Sequence, residues 1–187
     1  MAPMTAPHRL LTVGPAEAVA AIAARLIAGG AYVAAEHGVD AVLIDGTDSA
    51  VETPFLDLAD SAFAAQLIDA TLGRVAALQT ALEHLAPAAS IVVIGTDAHL
   101  GRWHATGQAA ASAALVGIVR SVAMEYGRHG VRANLVALPL GTTASDEPVI
   151  ADAAIQAAAL FDAPSITGET VLVDGGNNLK FRQARRR

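Results

Sequence analysis

Short apolar runs alternate along the chain with longer segments in which apolar residues recur at helical spacing. The runs are Arg9 to Val13, Ala41 to Ile44, Ser90 to Ile94, Arg132 to Ala137 and Thr170 to Val173. Continuous apolar runs of this length are typical of parallel strands that are buried on both faces. Helices are predicted at about Ala16 to Ala28, Ser61 to Leu85, Thr106 to Arg128 and Val149 to Phe161. The alternation predicts an α/β fold built on a parallel sheet.

Composition favours one domain that spans residues 1–187. With 53% hydrophobic and 16% charged residues, the chain can bury a single good core. Its formal net charge of −6 argues against a nucleic-acid partner, because phosphate binding needs a basic face. The three arginines at the C-terminus are expected to form a solvated tail.

Compartment and membrane association are indicated by what the sequence lacks. Cysteine is absent, which excludes disulfides and thiolate metal sites and fits a reducing compartment. The apolar run from Leu10 to Val13 is too short for a signal peptide, and no stretch reaches transmembrane length without glycine, proline or charge. We therefore expect a soluble, cytoplasmic protein with no membrane partner.

Several segments together resemble the short-chain dehydrogenase/reductase family over nearly the whole chain. Thr12 to Ala31 resembles its first strand, glycine turn and first helix, and Val39 to Ile44 resembles the strand before its Asn-Asn-Ala-Gly turn. Ala109 to Pro139 resembles its active-site helix and the next strand, and Ser165 to Gly176 resembles its C-terminal signature. The resemblance implies a reduced Rossmann-like, doubly wound parallel sheet.

Two parts of that fold are expected to be missing. Only a few residues separate Tyr32 to Ala35 from Ala41 to Ile44, whereas parallel strands need a crossover of about a dozen residues. We therefore predict that these segments are not both parallel members of the sheet, and that Gly30 to Val39 is a connector. Part of the nucleotide-binding half is then absent. The substrate lid is reduced to a short loop from Leu140 to Pro148.

The family's catalytic residues are also absent. Its Tyr-x-x-x-Lys motif falls on Gln108 and Ser112. No other register restores it, because Tyr32 and Tyr126 are the only tyrosines and Lys180 is the only lysine. The resemblance places the active-site serine on Gly95 or Thr96 and the helix asparagine on Ala70. We expect a pseudoenzyme, since proton transfer to a carbonyl oxygen needs a tyrosine with a nearby cation.

The dinucleotide turn is degenerate in the same way. The family's three glycines fall on Val13, Glu17 and Val19, and Asp45-Gly46 stands where Asn-Asn-Ala-Gly is expected. Only glycine lets the backbone approach a pyrophosphate closely at a helix N-terminus. We therefore predict no cofactor, and we assign no metal.

New chemistry on this scaffold has one candidate location. Asp97, His99 and His104 flank Trp103 after the Ser90 to Ile94 strand, at the edge where open α/β sheets hold ligands. A His–Asp pair can serve acid–base catalysis or metal binding, although such a loop is more often merely polar. Gln108 can hydrogen-bond a ligand, but a helix-surface position is the simpler interpretation.

The two longest helices resemble those through which family members pair. Small residues recur at helical spacing at Ala113, Ala114, Gly117 and Ser121, and small side chains let helices approach closely. The leading hypothesis is a non-catalytic subunit that associates through these helices with itself or with an active reductase of the same family. The alternatives are a small-molecule-binding homodimer that uses Asp97, His104 and Gln108, and an enzyme of another class.

Overall fold

A computed structural model of the protein describes residues 6–48 and 51–179. Within them, six parallel strands form one sheet in the order β2-β1-β3-β4-β5-β6. Their bounds are β1 His8–Val13, β2 Tyr32–Ala34, β3 Val39–Asp45, β4 Leu85–Thr96, β5 Arg132–Leu138 and β6 Thr170–Leu172. The predicted α/β class is confirmed.

Helices cover both faces of this sheet. Helices α1 (Glu17–Ala28) and α5 (Glu147–Asp162) pack on one face. On the other face lie α3 (Ala70–Leu82) and α4 (Thr106–Tyr126), and the short α2 (Asp60–Ala64) precedes α3 in the chain. Successive strand residues therefore enter different cores, with Val42 on the α3–α4 side and Leu43 on the α1–α5 side. This explains why the central strands are apolar at nearly every position.

The prediction for the segment from Gly30 to Val39 was wrong. Strand β2 pairs with one side of β1 and β3 pairs with the other, so that Leu10 lies between Ala34 and Ala41, and all three strands are parallel. The crossover rule fails because β2 has only three residues and lies beside the first half of β1. A four-residue turn can then pass β1 beside Arg9, whose Nη1 lies 3.2 Å from where a Cβ would stand on Gly38.

The predicted helix from Ser61 to Leu85 is interrupted and shorter than expected. A single π-helical turn, Ala65–Asp69, separates α2 from α3. Helix α3 ends at Leu82, and Leu85 already belongs to β4. The predicted reduction of the lid is borne out, since α5 begins at Glu147, shortly after β5 ends at Leu138. Lys180 and the C-terminal arginines lie outside the described residues.

Two side chains of β5 hold the connection from α5 to β6 in place. The Arg132 guanidinium donates to the carbonyls of Leu160, Phe161 and Ala163, which α5 leaves unpaired at its end. Burial lowers the pKa of Arg132 from its usual value, and the Asp162 carboxylate acts in the opposite direction. The fully buried Asn134 donates to Ile166 O and accepts from Glu169 N. These contacts explain the polar residues at the start of an otherwise apolar strand.

Helix α4, with the turn that follows it, is the one span in the described part of the chain that is long and apolar enough to cross a membrane. Its residues Leu115, Val119 and Ala123 are buried against the sheet in the α3–α4 core. This packing is typical of the central helix of a globular domain.

Candidate functional site

Two of the residues that the resemblance aligns with catalytic positions, Thr96 and Ser112, meet at the carboxyl edge of the sheet. The hydroxyls of Thr96, at the end of β4, and Ser112, on α4, are buried and lie 2.8 Å apart. Ser112 Oγ also lies 3.4 Å from Asp48 Oδ2. Ala70 begins α3 and contributes no polar side-chain group. Gly95 packs closely, since a Cβ there would lie 3.3 Å from the side chain of Leu135.

A buried ion pair closes this cluster. Arg74, one helical turn after Ala70, places Nη2 2.5 Å from Asp48 Oδ2, and the two side chains are only 5% and 12% exposed. Neither Nη atom of Arg74 has a well-aligned hydrogen-bond partner, so the contact is mainly electrostatic. Arg74 thus supplies a cation beside the position of the family's lysine.

This cluster has the wrong chemistry for hydride transfer to a carbonyl. Thr96 and Ser112 carry aliphatic hydroxyls. The Arg74 cation is neutralised by Asp48. A carbonyl reductase needs an acid that gives up a proton near neutral pH. The described residues of the cluster include no such acid.

The surface position predicted for Gln108 was wrong. Its side chain is 4% exposed, and Oε1 has no hydrogen-bond partner among the described residues. The preceding Gly107 lies directly against Gln66, whose side chain occupies the space that a Cβ on Gly107 would need. The start of α4 is therefore packed against the π-helical turn, and Gln108, the next residue, is buried.

The turn between β1 and α1 is shaped around a carboxylate. Asp45, at the end of β3, accepts hydrogen bonds from Ala16 N (3.0 Å) and from the backbone and hydroxyl of Thr47. Gly14 has a φ of +116°, and a Cβ there would overlap the Asp45 side chain. The one glycine of this turn is therefore used to admit Asp45.

These residues do not fit a dinucleotide pyrophosphate. A phosphate at the start of a helix needs free N–H groups and the positive end of the helix dipole. Here the Asp45 carboxylate takes the N–H of Ala16, and Glu17 adds a second carboxylate in the first turn of α1. Val19 is fully buried in the core, and Val13 ends β1 with a branched side chain. No catalytic step through a nicotinamide cofactor follows from this geometry.

The loop after β4 does not bring its acidic and basic residues together as a catalytic pair. Asp97 is buried, accepts from Leu140 N at 2.9 Å and lies 4.0 Å from Arg102 Nη1. The His99 ring contacts Thr96 O, while the His104 backbone carbonyl accepts from Thr53 N. Across residues 6–48 and 51–179, no group of three or more His, Asp or Glu side chains can hold a metal ion.

A cavity of about 400 Å³ opens beside Asp97. Arg102, Trp103 and Asn178 line it, and Trp103 is 74% exposed. Asn178 also binds Asp174, and hydrogen bonds from the Asn178 and Gly176 backbone lower the pKa of the Asp174 carboxyl. The trimmed lid therefore leaves an open polar cavity with one aromatic wall.

The predicted pairing residues lie on the outer side of α4. Ala113, Gly117 and Ser121 are exposed and Ala114 is half-buried. A Cβ on Gly117 would meet nothing within 4 Å. Gly117 is therefore not used for packing within the described part of the chain.

Sequence reasoning located the positions of Thr96, Ser112 and Gln108 but missed Arg74 and Asp48. An arginine within the otherwise uncharged stretch from Ala70 to Leu82 was the available signal, because a charge on the buried face of a helix needs a partner. The partner comes from the turn after β3, which the sequence alone does not place opposite it.

Comparison with known proteins agrees with this architecture. A family model described as enoyl-(acyl carrier protein) reductase matches residues 33–159, which is more than half of the chain. No curated protein matches the sequence significantly. The chain belongs to the short-chain dehydrogenase/reductase family.

Solved structures share the fold at low identity. An oxidoreductase of this family from Burkholderia thailandensis is 20% identical, with 94% of each chain covered and a TM-score of 0.66. A short-chain dehydrogenase from Burkholderia cenocepacia, solved in complex with NADP, is 20% identical over 92% of this chain and 98% of its own, with a TM-score of 0.68. A family member from Francisella tularensis is 13% identical over 94% of this chain and 100% of its own, with a TM-score of 0.69.

Proposed function

We propose that this chain is a non-catalytic member of the short-chain dehydrogenase/reductase family that acts through association. Its partner is a second copy or, in the cell, an active reductase of the same family, and the contact is made by α3 and α4. The subunit stabilises or tunes the active partner in the cytoplasm, a location that fits the absence of cysteine.

The contrast between the site and the outer helix faces carries this proposal. The Arg74–Asp48 ion pair lies beside Ser112 in the former catalytic cleft, and Asp45 occupies the turn between β1 and α1. In contrast, Ala113, Gly117 and Ser121 are exposed on α4, and a Cβ on Gly117 would meet nothing of the described chain within 4 Å. If the chain had merely lost its activity, we would expect the outer helix faces to have lost their small residues as well.

Exposed apolar side chains lie on the same two helices. Leu72 on α3 is 61% exposed and Met124 on α4 is 83% exposed, and Ile68 in the π-helical turn is also exposed. Adjacent apolar side chains beside a stripe of small residues are typical of a helix-packing interface. The acidic net charge can then remain on the solvent-facing surfaces.

Co-purification from the native host tests this proposal. A tagged chain is expected to retain a reductase with a complete Tyr-x-x-x-Lys motif, and the Gly117→Trp variant is expected to lose it. Ala24→Trp is the matched control, because Ala24 is exposed on α1 at the opposite face of the sheet. Equal recovery of the reductase with all three baits, or recovery with none, would contradict the association.

The cavity beside Asp97 favours a second candidate, a small-molecule-binding homodimer. The buried Asp97 carboxylate and the exposed Trp103 ring offer hydrogen bonding and stacking to a polar, planar ligand. Gln108 and His104, considered for this role from the sequence, do not line the cavity. A thermal-shift screen of wild type against Trp103→Ala tests this candidate, since a true ligand raises the melting temperature of wild type only.

A further inference from the structure

Two imidazole rings face each other at the edge of the sheet opposite the candidate site. His37 Nδ1 and His84 Nδ1 lie 2.9 Å apart, and the ring centroids are 4.7 Å apart with the planes inclined by 51°. The two Nδ1 atoms are hydrogen-bonded to each other, and a cation that replaces the shared proton would contact both nitrogens.

Backbone contacts fix both residues. His37 lies in the tight turn between β2 and β3, and His84 lies in the turn between α3 and β4. The His84 carbonyl accepts from Val39 N at 3.0 Å, and Gly38, next to His37, adopts a φ of +59°. These contacts fix the two backbone segments, and the side chains bring the rings together across them.

We propose that His37 and His84 form a bidentate site for a divalent transition-metal cation, with Cu²⁺ as the preferred ion. Imidazole nitrogens bind such metals at about 2.0 to 2.1 Å. Two nitrogens at this distance in adjacent square-planar positions are about 2.9 Å apart, whereas tetrahedral positions require about 3.3 Å. The observed separation matches the square-planar geometry that Cu²⁺ and Ni²⁺ favour.

The site has two protein ligands, and water completes the coordination. This agrees with the finding that no larger group of metal-binding side chains occurs in the described ranges. Imidazole nitrogens suit copper, and copper heads the affinity series of divalent first-row metals. A bound ion would link the β2–β3 turn to the end of α3, at the place where the chain takes its unusually short path.

Titration of the full-length, tag-free chain with Cu²⁺ tests this proposal. Calorimetry is expected to show one high-affinity site per chain, and electron paramagnetic resonance is expected to show hyperfine coupling to two nitrogens. His37→Ala and His84→Ala are each expected to weaken binding more than about tenfold, the smallest cost seen even for outer-shell partners of a metal. His129→Ala is the matched control, because His129 is also exposed in a turn, and it should bind like wild type.

Two outcomes of the Cu²⁺ titration would overturn the proposed site at His37 and His84. Absence of saturable binding in wild type would refute it, and so would wild-type affinity or an unchanged nitrogen signal in His37→Ala. His37 is exposed, so its replacement leaves the core intact. If His84→Ala failed to fold, His37→Ala would still decide the question.

Discussion

At the scale of single residues, the degenerate site is stabilised by charge pairing in place of catalytic chemistry. Arg74 and Asp48 are both largely buried, and they neutralise each other beside Ser112. A buried ion pair is worth little compared with two apolar residues, but removal of one partner leaves an uncompensated charge. The pair is therefore a point at which the chain is sensitive to substitution.

Replacement of Arg74 by methionine is expected to destabilise the protein by about 3 to 5 kcal/mol, the usual cost of a buried charge without its partner. Urea unfolding measures this change. The double variant Arg74→Met/Asp48→Leu should recover most of the loss, because it leaves no charge in the core. If the double variant were as unstable as Arg74→Met, the ion pair would not explain the effect.

Substitution of Gly14, compared with substitution of Gly30, tests the position of Asp45 in the turn between β1 and α1. Both have positive φ, but a Cβ on Gly14 meets Asp45 and one on Gly30 meets nothing within 4 Å. Gly30→Ala, at a φ of +77°, should cost about 1 kcal/mol of backbone strain. Gly14→Ala should cost clearly more, because its φ of +116° lies outside the left-handed region and its Cβ would also overlap Asp45. Thermal unfolding compares them. Equal costs would mean that Asp45 does not occupy the turn as described.

At the scale of elements, short continuous apolar runs predicted five strands, and apolar residues at helical spacing predicted both helical layers. The short β2 was missed, because a strand of only three residues beside the first half of β1 lets a four-residue turn reach β3 on the other side of β1. The cluster of Arg74 and Asp48 could not be predicted either. It depends on how a turn and a helix distant in sequence approach each other, and no local pattern records this.

Tyr32 anchors β2, and its buried phenol makes the stability of the protein fall at high pH. Its ring is buried beside Phe161, and burial, with smaller effects of the Asp162 and Asp40 charges, raises its pKa from 10.0 to about 12. The folded protein therefore holds the phenol proton more tightly than the unfolded chain does. The resulting stability is fully present below about pH 10 and is lost as the pH rises towards 12.

Alkaline unfolding of wild type and Tyr32→Phe tests this expectation. The free energy of unfolding of wild type should fall relative to that of the variant above about pH 10. Tyrosinate absorbance should show one late-titrating group in wild type that is missing in Tyr32→Phe. Ionisation of both wild-type tyrosines near pH 10 would contradict the burial of Tyr32.

At the scale of the whole molecule, the fold keeps the sheet and both helical layers. Charged side chains of the same chain occupy the turn between β1 and α1 and the former catalytic cleft. The turn between β1 and α1 holds Asp45, and the former catalytic cleft holds Arg74 with Asp48. We therefore expect no thermal shift with NADH or NADPH at about 1 mM, because a ligand stabilises only the fold that binds it. A shift of several degrees would overturn this expectation.

The outer faces of α3 and α4 remain available, and association through them is the central claim. Gly117→Trp should be tolerated within one chain, since nothing lies within 4 Å of the new Cβ position. Between two chains, the same side chain would force the helices apart at a cost of roughly 1 to 3 kcal/mol or more per site. Ala24→Trp places the same bulk on the opposite layer and should leave association unchanged.

Light scattering of the purified chain tests this claim most directly. We expect a mass of at least twice the 18.9 kDa of one chain for wild type and Ala24→Trp, and a smaller mass for Gly117→Trp. A stable monomer for all three proteins, together with no effect of Gly117→Trp on a co-expressed reductase, would contradict it.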